Sequence, residues 1–283
     1  MKLVSFTTTT PHERYGILTS EGVIELGSRL GSAFPTLADA LAHFSIEQLA
    51  QYASAPIDHV LRDIHYLPVI PHPNKILCIG MNYAQKRQEF ASTDEAPTLF
   101  IRFADSQTGH EQPVLKPRCT EQFDYEGELA FVIGKAGRHI APEKAYQYVA
   151  GYSAYMDGSV RDWQHGWYTA GKNWPQTGAF GPALVTHDEI SDPHTLAIRT
   201  RVNGEQLQSD NTANMIRTIP DIIAYISAFT PLSPGDVILT GSPGNVGKSL
   251  TPPRYLHSGD VIEVDIEGLG VLRNTVVDAA DTE

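Results

Sequence analysis

The stretch Asp124-Tyr125-Glu126-Gly127-Glu128-Leu129-Ala130-Phe131-Val132-Ile133 constrains this chain more than any other. It starts as alternating acid and ends as an unbroken apolar run. Successive side chains of a strand point to opposite faces. Glu126 and Glu128 therefore project to one side, with Asp124 behind them. Like charges on one face repel. A divalent cation compensates them well, because hard cations prefer carboxylate oxygens. The alternative is a solvated edge strand that carries charge against aggregation.

A chain of 283 residues suits one large domain, or a small one plus a large one, with ample core. Its net charge of −12, from 21 basic and 33 acidic residues, argues against nucleic acid or an anionic membrane as the main partner. A small anionic substrate needs only a local cationic pocket. Cys78 and Cys119 stand in or beside apparent strands and read as buried free thiols, which fits a reducing, cytoplasmic location. The apolar stretch Met1–Phe6 is too short for a signal peptide, and nothing approaches the length of a membrane span.

Residues 1–70 read as a small mixed α+β domain. Short strands surround Tyr15–Leu18 and Val23–Leu26, and helical patterns follow in Thr36–His43 and Ile46–Ala53. The proline-rich Leu67–Pro73 reads as a linker. Residues 71–283 form the second domain, where strand signals dominate: Ile76–Ile79, Thr98–Arg102, Leu129–Ile133, Val149–Met156, Ala183–Thr186, Leu196–Val202, Val237–Thr240, Val261–Ile266 and Gly270–Val277. Helices are few: Tyr83–Phe90, Pro142–Ala145 and Ile219–Ser227. Asn203-Gly204 signals a type I′ hairpin turn. The expected fold class is mainly β, of the α+β kind, with a sandwich or barrel core.

Several positions can carry chemistry. Asp157 ends an apolar segment, where it is either a third carboxylate for Mg²⁺ or Mn²⁺ or a turn and cap residue. Arg161 and Gln164 share a face if a helix follows, and Arg clamps carboxylates in bidentate fashion. Lys172 is a second cation for an oxyanion or else solvated surface. The glycine-rich Thr240–Gly247 presents backbone N–H groups to anions or makes a tight structural turn; it lacks the P-loop pattern. Trp163, Trp167, Tyr168 and Trp174 line a pocket or belong to the core, and core is the preferred reading.

Together these pieces resemble the fumarylacetoacetate hydrolase family. The resemblance rests on Ile79-Gly80-Met81-Asn82-Tyr83-Ala84, on Asp124–Ala130, on Gly151-Tyr152-Ser153, and on Asp157-Gly158-Ser159 with Arg161-Asp162-Trp163-Gln164. Val202–Glu205 and Thr240-Gly241-Ser242-Pro243 complete it, collinear from Lys75 to Val277. It implies a β-sandwich roll and commonly a homodimer. It implies a cation, usually Mg²⁺ with Mn²⁺ or Ca²⁺ as alternatives, held by Glu126, Glu128 and Asp157. It implies that Arg161, Gln164, Lys172 and Tyr83 face the substrate, with Thr240 and Ser242 helping to bind it.

Hydrolytic members carry His and Glu three positions apart after Asn-Tyr, as a dyad that activates water. Here Glu89 matches the Glu, and Lys86 stands where the His is expected. Arg87 beside it points to an exposed segment. Pro175 replaces an Asp found in many relatives. His110 and His165 are candidate substitute bases, each with a structural reading. The expected catalytic residues are Glu89, Lys172 and Lys86. The resemblance favours a metal-dependent hydrolase of C–C bonds in acylpyruvate-like 2-oxo acids or β-diketones, in central or aromatic-compound catabolism. The alternative, favoured by Lys86, is a 2-oxo acid tautomerase, decarboxylase or dehydratase on the same metal site. A catalytically silent binding protein is the reading of a different class.

Overall fold

The apolar half of the acidic strand is buried on both faces, and this organises the molecule. The computed structural model describes residues 1–93 and 95–280. In it Gly127–Ile133 is a central strand, paired antiparallel with Val149–Met156 on one side and Val237–Leu239 on the other. It is therefore not an edge strand. Leu129, Phe131 and Ile133 face one core, with Ile198, Val202, Val264, Ile266 and Leu272. Ala130 and Val132 face a second, with Leu3, Tyr15, Leu37 and Leu41. A strand covered on both faces needs apolar residues at every position, which explains the unbroken run.

The first core is the filling of a sandwich. One layer is a twelve-stranded sheet, whose central order is Lys2–Thr7, Gly178–Thr186, Val149–Met156, Gly127–Ile133, Val237–Leu239, Ile76–Gly80 and Thr98–Arg102. The other is a five-stranded sheet, in the order Glu205–Asn211, Ala197–Val202, Val261–Ile266, Gly270–Asp278 and Val114–Lys116. The chain is mainly β, as expected. The second core lies under the helices Leu37–His43 and Ile46–Ala50, each started by a capping box from Thr36 and Ser45.

Three strands have the bounds read from the sequence: Thr98–Arg102, Val149–Met156 and Val261–Ile266. The Asn203-Gly204 turn has φ of 53° and 81°, as a type I′ turn requires. Other elements carried no clear sequence signal. Lys2–Thr7 pairs with Gly178–Thr186, so the first residues extend the large sheet. Glu205–Asn211 is polar along most of its length and is a strand because the hairpin returns it alongside Ala197–Val202. Pro142–Tyr148 is a 3₁₀ helix. Cys78 is buried, but Cys119 is exposed, because it sits in a turn after Val114–Lys116 instead of inside a strand. Among the described residues no helix is long and apolar enough to cross a membrane.

Candidate active site

A break in strand pairing gathers the acidic residues. The ladder between Gly127–Ile133 and Val149–Met156 ends at the pair Gly127 and Met156. Pairing resumes as Asp124 opposite Ser159. Glu126 and Asp157 lie in the gap, joined by a hydrogen bond from Asp157 N to Glu126 O (2.8 Å). Glu128 follows on the same face. One carboxylate oxygen from each of Glu126, Glu128 and Asp157 lies within 4.8 Å of the others, and all three residues are buried. Gly158 allows this turn to pack: a Cβ there would stand 1.9 Å from the Thr177 carbonyl oxygen.

Buried cations surround the cluster. Lys86 Nζ donates to Glu126 Oε1 (2.6 Å) and Ser242 Oγ (3.0 Å). Arg161 Nη2 donates to the same Glu126 oxygen (2.7 Å), and its Nε donates to Asp124 Oδ2 (2.8 Å). Lys172 Nζ touches Glu126 Oε2 and Asp157 Oδ2. Arg102 Nη1 donates to Asp157 Oδ1 (2.6 Å). Burial raises the proton affinity of Glu126, yet Arg161, Lys172 and Lys86 outweigh it and hold this carboxyl well below the usual range. Burial likewise opposes the charge on Lys172, and Asp157 and Glu126 overcome it, so the ammonium holds its proton more firmly than usual. Lys86 goes the other way: burial lowers its proton affinity, and Glu126 restores only part.

Glu128 is the exception. Among the described residues it forms no ion pair; its Oε2 accepts from Gly241 N (2.9 Å). Burial, then Asp157 and Glu126, push its carboxyl well above the usual range. Three buried carboxylates, one of them without an ion-pair partner among the described residues, offer the oxygen donors that a hard divalent cation prefers, and the residues suit Mg²⁺ or Mn²⁺ by donor type.

Arg102 had no distinguishing sequence signal, since it ends an ordinary strand. It is buried, bridges to Asp157, Gly158 O and Thr177 Oγ1, and anchors the turn that carries the acid. Arg102→Met is expected to destabilise the fold by about 3–5 kcal/mol, because it removes one of the two cations that hold the buried Asp157 and takes the donor away from Gly158 O and Thr177 Oγ1. Chemical denaturation measures this; a loss under 1 kcal/mol would contradict the pairing.

The sequence candidates fall into distinct places. A cavity of about 30 Å³ is lined by Lys86, Glu126, Glu128, Arg161, Lys172 and Ser242, and walled by Phe90, Phe100 and Tyr168. Lys86 is buried, contrary to the exposure expected from Arg87, because the helix Ala84–Glu89 turns it inward. Tyr83, Gln164, Thr240 and Glu89 are not part of that lining. Tyr83 is fully buried where the chain starts that helix. Gln164 Oε1 accepts from Arg161 Nη1 (3.2 Å) at the end of a 3₁₀ turn, Arg161–Trp163, which replaces the anticipated helix. Thr240 Oγ1 is engaged by Leu129 O (2.9 Å).

The glycine-rich loop does bind anions, but they are the protein's own carboxylates. Gly241 N meets Glu128, Asn245 N meets Glu89, and Gly247 N and Lys248 N meet Asp124. His110 accepts from Arg273 N (3.1 Å) and packs edge-on against Tyr66, while His165 stands beside Trp163; neither lines the cavity. Of the aromatic cluster only Trp174, partly buried, packs against the first core. Trp167 is 84% exposed and Trp163 38%, while Tyr168 packs on Phe100 over the cavity. This segment runs over the outside of the site, so only parts of it find cover.

Residues 75–277 match the family model described as fumarylacetoacetate (FAA) hydrolase C-terminal. An oxaloacetate tautomerase of Xenopus laevis, named as mitochondrial, is 40% identical over 98% of this chain and 90% of its own length. An oxaloacetate tautomerase of Bacillus subtilis is 39% identical over 90% of this chain and 89% of its own. The solved structure of maleylpyruvate hydrolase from Sphingobium sp. SYK-6, in complex with manganese(II) and pyruvate, has a TM-score of 0.83 at 26% identity, covering 99% of this chain and all of that one. The C–C hydrolysis expected from the sequence is corrected by the first two. Curated relatives matched along nearly the whole chain are named for an isomerisation that breaks no C–C bond.

Proposed function

This chain belongs to the fumarylacetoacetate hydrolase family, and within it we propose a metal-dependent tautomerase that interconverts the keto and enol forms of oxaloacetate or a close 2-oxo diacid. One observation carries the reading: a buried lysine, Lys86, points into the carboxylate cluster where a water-activating histidine would stand, and no histidine lines the cavity among the described residues. The names of the relatives support the same reaction and substrate.

Glu126, Glu128 and Asp157 would hold the cation, Mg²⁺ or Mn²⁺, which when bound supplies a Lewis acid that polarises the substrate's 2-oxo group. Lys172 and Arg161 keep the cluster neutral enough to receive an acid anion and orient it. Ser242 fixes the direction of the Lys86 ammonium. In the enol-to-keto direction the Lys86 ammonium would deliver a proton to substrate C3 while the enol hydroxyl loses its proton to solvent, and the neutral Nζ then regains one from solvent. In reverse, the neutral Nζ would take the C3 proton as the C3–H bond breaks, and the 2-oxo oxygen gains a proton from solvent. Burial brings the proton affinity of Lys86 down toward what such exchange needs. Phe90, Phe100 and Tyr168 exclude water from the reacting carbon. The active form is proposed as a homodimer.

The test is the decay of freshly dissolved enolic oxaloacetate, followed by its ultraviolet absorbance. Enzyme with Mg²⁺ is expected to accelerate the decay, and EDTA to abolish the acceleration. Equal rates with and without enzyme would contradict the proposal.

Metal affinity carries a pH signature. The raised proton affinity of Glu128 makes protons compete with the cation nearer to neutrality than an ordinary carboxylate allows. Mn²⁺ affinity, measured by calorimetry, is expected to weaken as the pH falls from 8 toward 5, with proton release on binding at the acid end. A flat profile would exclude Glu128 as a ligand.

A further inference from the structure

The carboxylate of Glu89 does not face the reacting space. It accepts from the main-chain N–H of Asn245 with both oxygens (2.8 and 3.0 Å). Gln85, one helical turn earlier, donates from Nε2 to Glu89 Oε1 (3.1 Å) and to Asn245 Oδ1 (3.2 Å). The helix Ala84–Glu89 thus grips the glycine-rich loop with its outer face. Its inner face grips the same loop through Lys86 and Ser242.

The loop is a fixed counterpart. Gln208 Nε2 donates to Pro243 O (2.9 Å) and Gly244 O (3.1 Å), and Tyr125 OH donates to Asn245 O (3.2 Å). Asn245 holds a left-handed conformation, φ 61°, which aims its N–H at the helix. Gly244 makes room: a Cβ there would lie 2.4 Å from Glu89 Oε1 and 2.7 Å from Gln85 Cγ. The cavity behind the helix, about 30 Å³, is walled on the helix side by Lys86 and Phe90, so the seating of the helix sets how closely these two side chains approach whatever occupies it.

We propose that Glu89 is a positioning residue: its carboxylate latches the helix onto the Gly244-Asn245 turn, and closing that latch sets Lys86 and Phe90 against the bound substrate. The inference rests on the tautomerase reading for its kinetic test but not for its structural one. Glu89→Gln keeps an acceptor for Asn245 N–H and is expected to retain turnover within about threefold. Glu89→Ala removes the latch and is expected to lower kcat at least tenfold, with an unshifted pH profile and faster hydrogen exchange in residues 84–90. Gly244→Ala wedges the latch open while leaving Glu89 intact, and is expected to reproduce Glu89→Ala in both readouts.

Equal, hundredfold losses in Glu89→Gln and Glu89→Ala would overturn the proposal, since they would mark Glu89 as a proton carrier. Unchanged exchange in Glu89→Ala, or wild-type behaviour of Gly244→Ala, would overturn it as well. Hydrogen exchange needs no substrate, so an inactive wild type would defeat the tautomerase reading and leave the latch tested on its own.

Discussion

Lys86→Met is expected to lower keto–enol turnover by about 10²–10⁴-fold, the usual contribution of a positioned acid–base group, while divalent-cation affinity stays level or rises. Both parts follow from where the ammonium lies. It is buried, touches Glu126 Oε1 and Ser242 Oγ, and packs over the Phe90 ring. Methionine fills similar volume, so the helix can still seat. Glu126 retains Arg161 and Lys172 as partners, so it is not left uncompensated. One fewer positive charge beside the carboxylates favours any incoming cation. Steady-state rates and Mn²⁺ titration on the same preparation separate the two effects. A variant that loses metal affinity and activity in parallel would show Lys86 to be structural.

Glu128→Gln and Asp157→Asn are expected to abolish metal-dependent turnover alike, yet to move the stability of the metal-free protein in opposite directions. Asp157 is held by Arg102 and Lys172. Neutralising it leaves two buried cations short of a partner, a loss of about 3–5 kcal/mol. Glu128 has no ion pair among the described residues, and its raised proton affinity marks it as destabilising when charged. The sign follows from linkage. A carboxyl with a folded-state pKa above its unfolded value contributes no penalty below the ordinary carboxylate range. The penalty grows as the pH rises toward the raised value and persists above it. Glutamine removes that penalty, so the unfolding midpoint in EDTA should rise at pH 7 and show less decline with pH. Wild-type protein should gain stability on adding Mn²⁺, and neither variant should. A lower midpoint for Glu128→Gln in EDTA would contradict this picture of the cluster.

The sequence displayed the carboxylates because the alternation of acids is local: Glu126, just before the strand Gly127–Ile133, and Glu128, within it, bring their carboxylates together. It also displayed most strands of the sandwich, whose apolar runs are continuous where both faces are covered. Arg102 was invisible for the opposite reason. Its partner Asp157 lies 55 residues further on, and only the pairing of distant strands brings them together. Lys86 is buried although Arg87 beside it suggests exposure, because neighbouring side chains of the helix Ala84–Glu89 leave it about 100° apart. Asp124 belongs to the same alternation as the cluster acids but serves Arg161 and the glycine-rich loop, since the two-residue strand Phe123–Asp124 pairs beyond the gap. The reaction was the least legible part: a buried carboxylate cluster of this kind is compatible with cleavage or isomerisation, and it is the relatives named as oxaloacetate tautomerases that weigh against cleavage.

The central claim is tested most directly by following oxaloacetate in D₂O by NMR, with enzyme and Mg²⁺ and with enzyme and EDTA. Rapid, Mg²⁺-dependent interconversion of keto and enol forms is expected, with deuterium entering at C3 and no pyruvate beyond the spontaneous rate. Enzyme-dependent pyruvate, or C3 exchange no faster than in buffer, would contradict it.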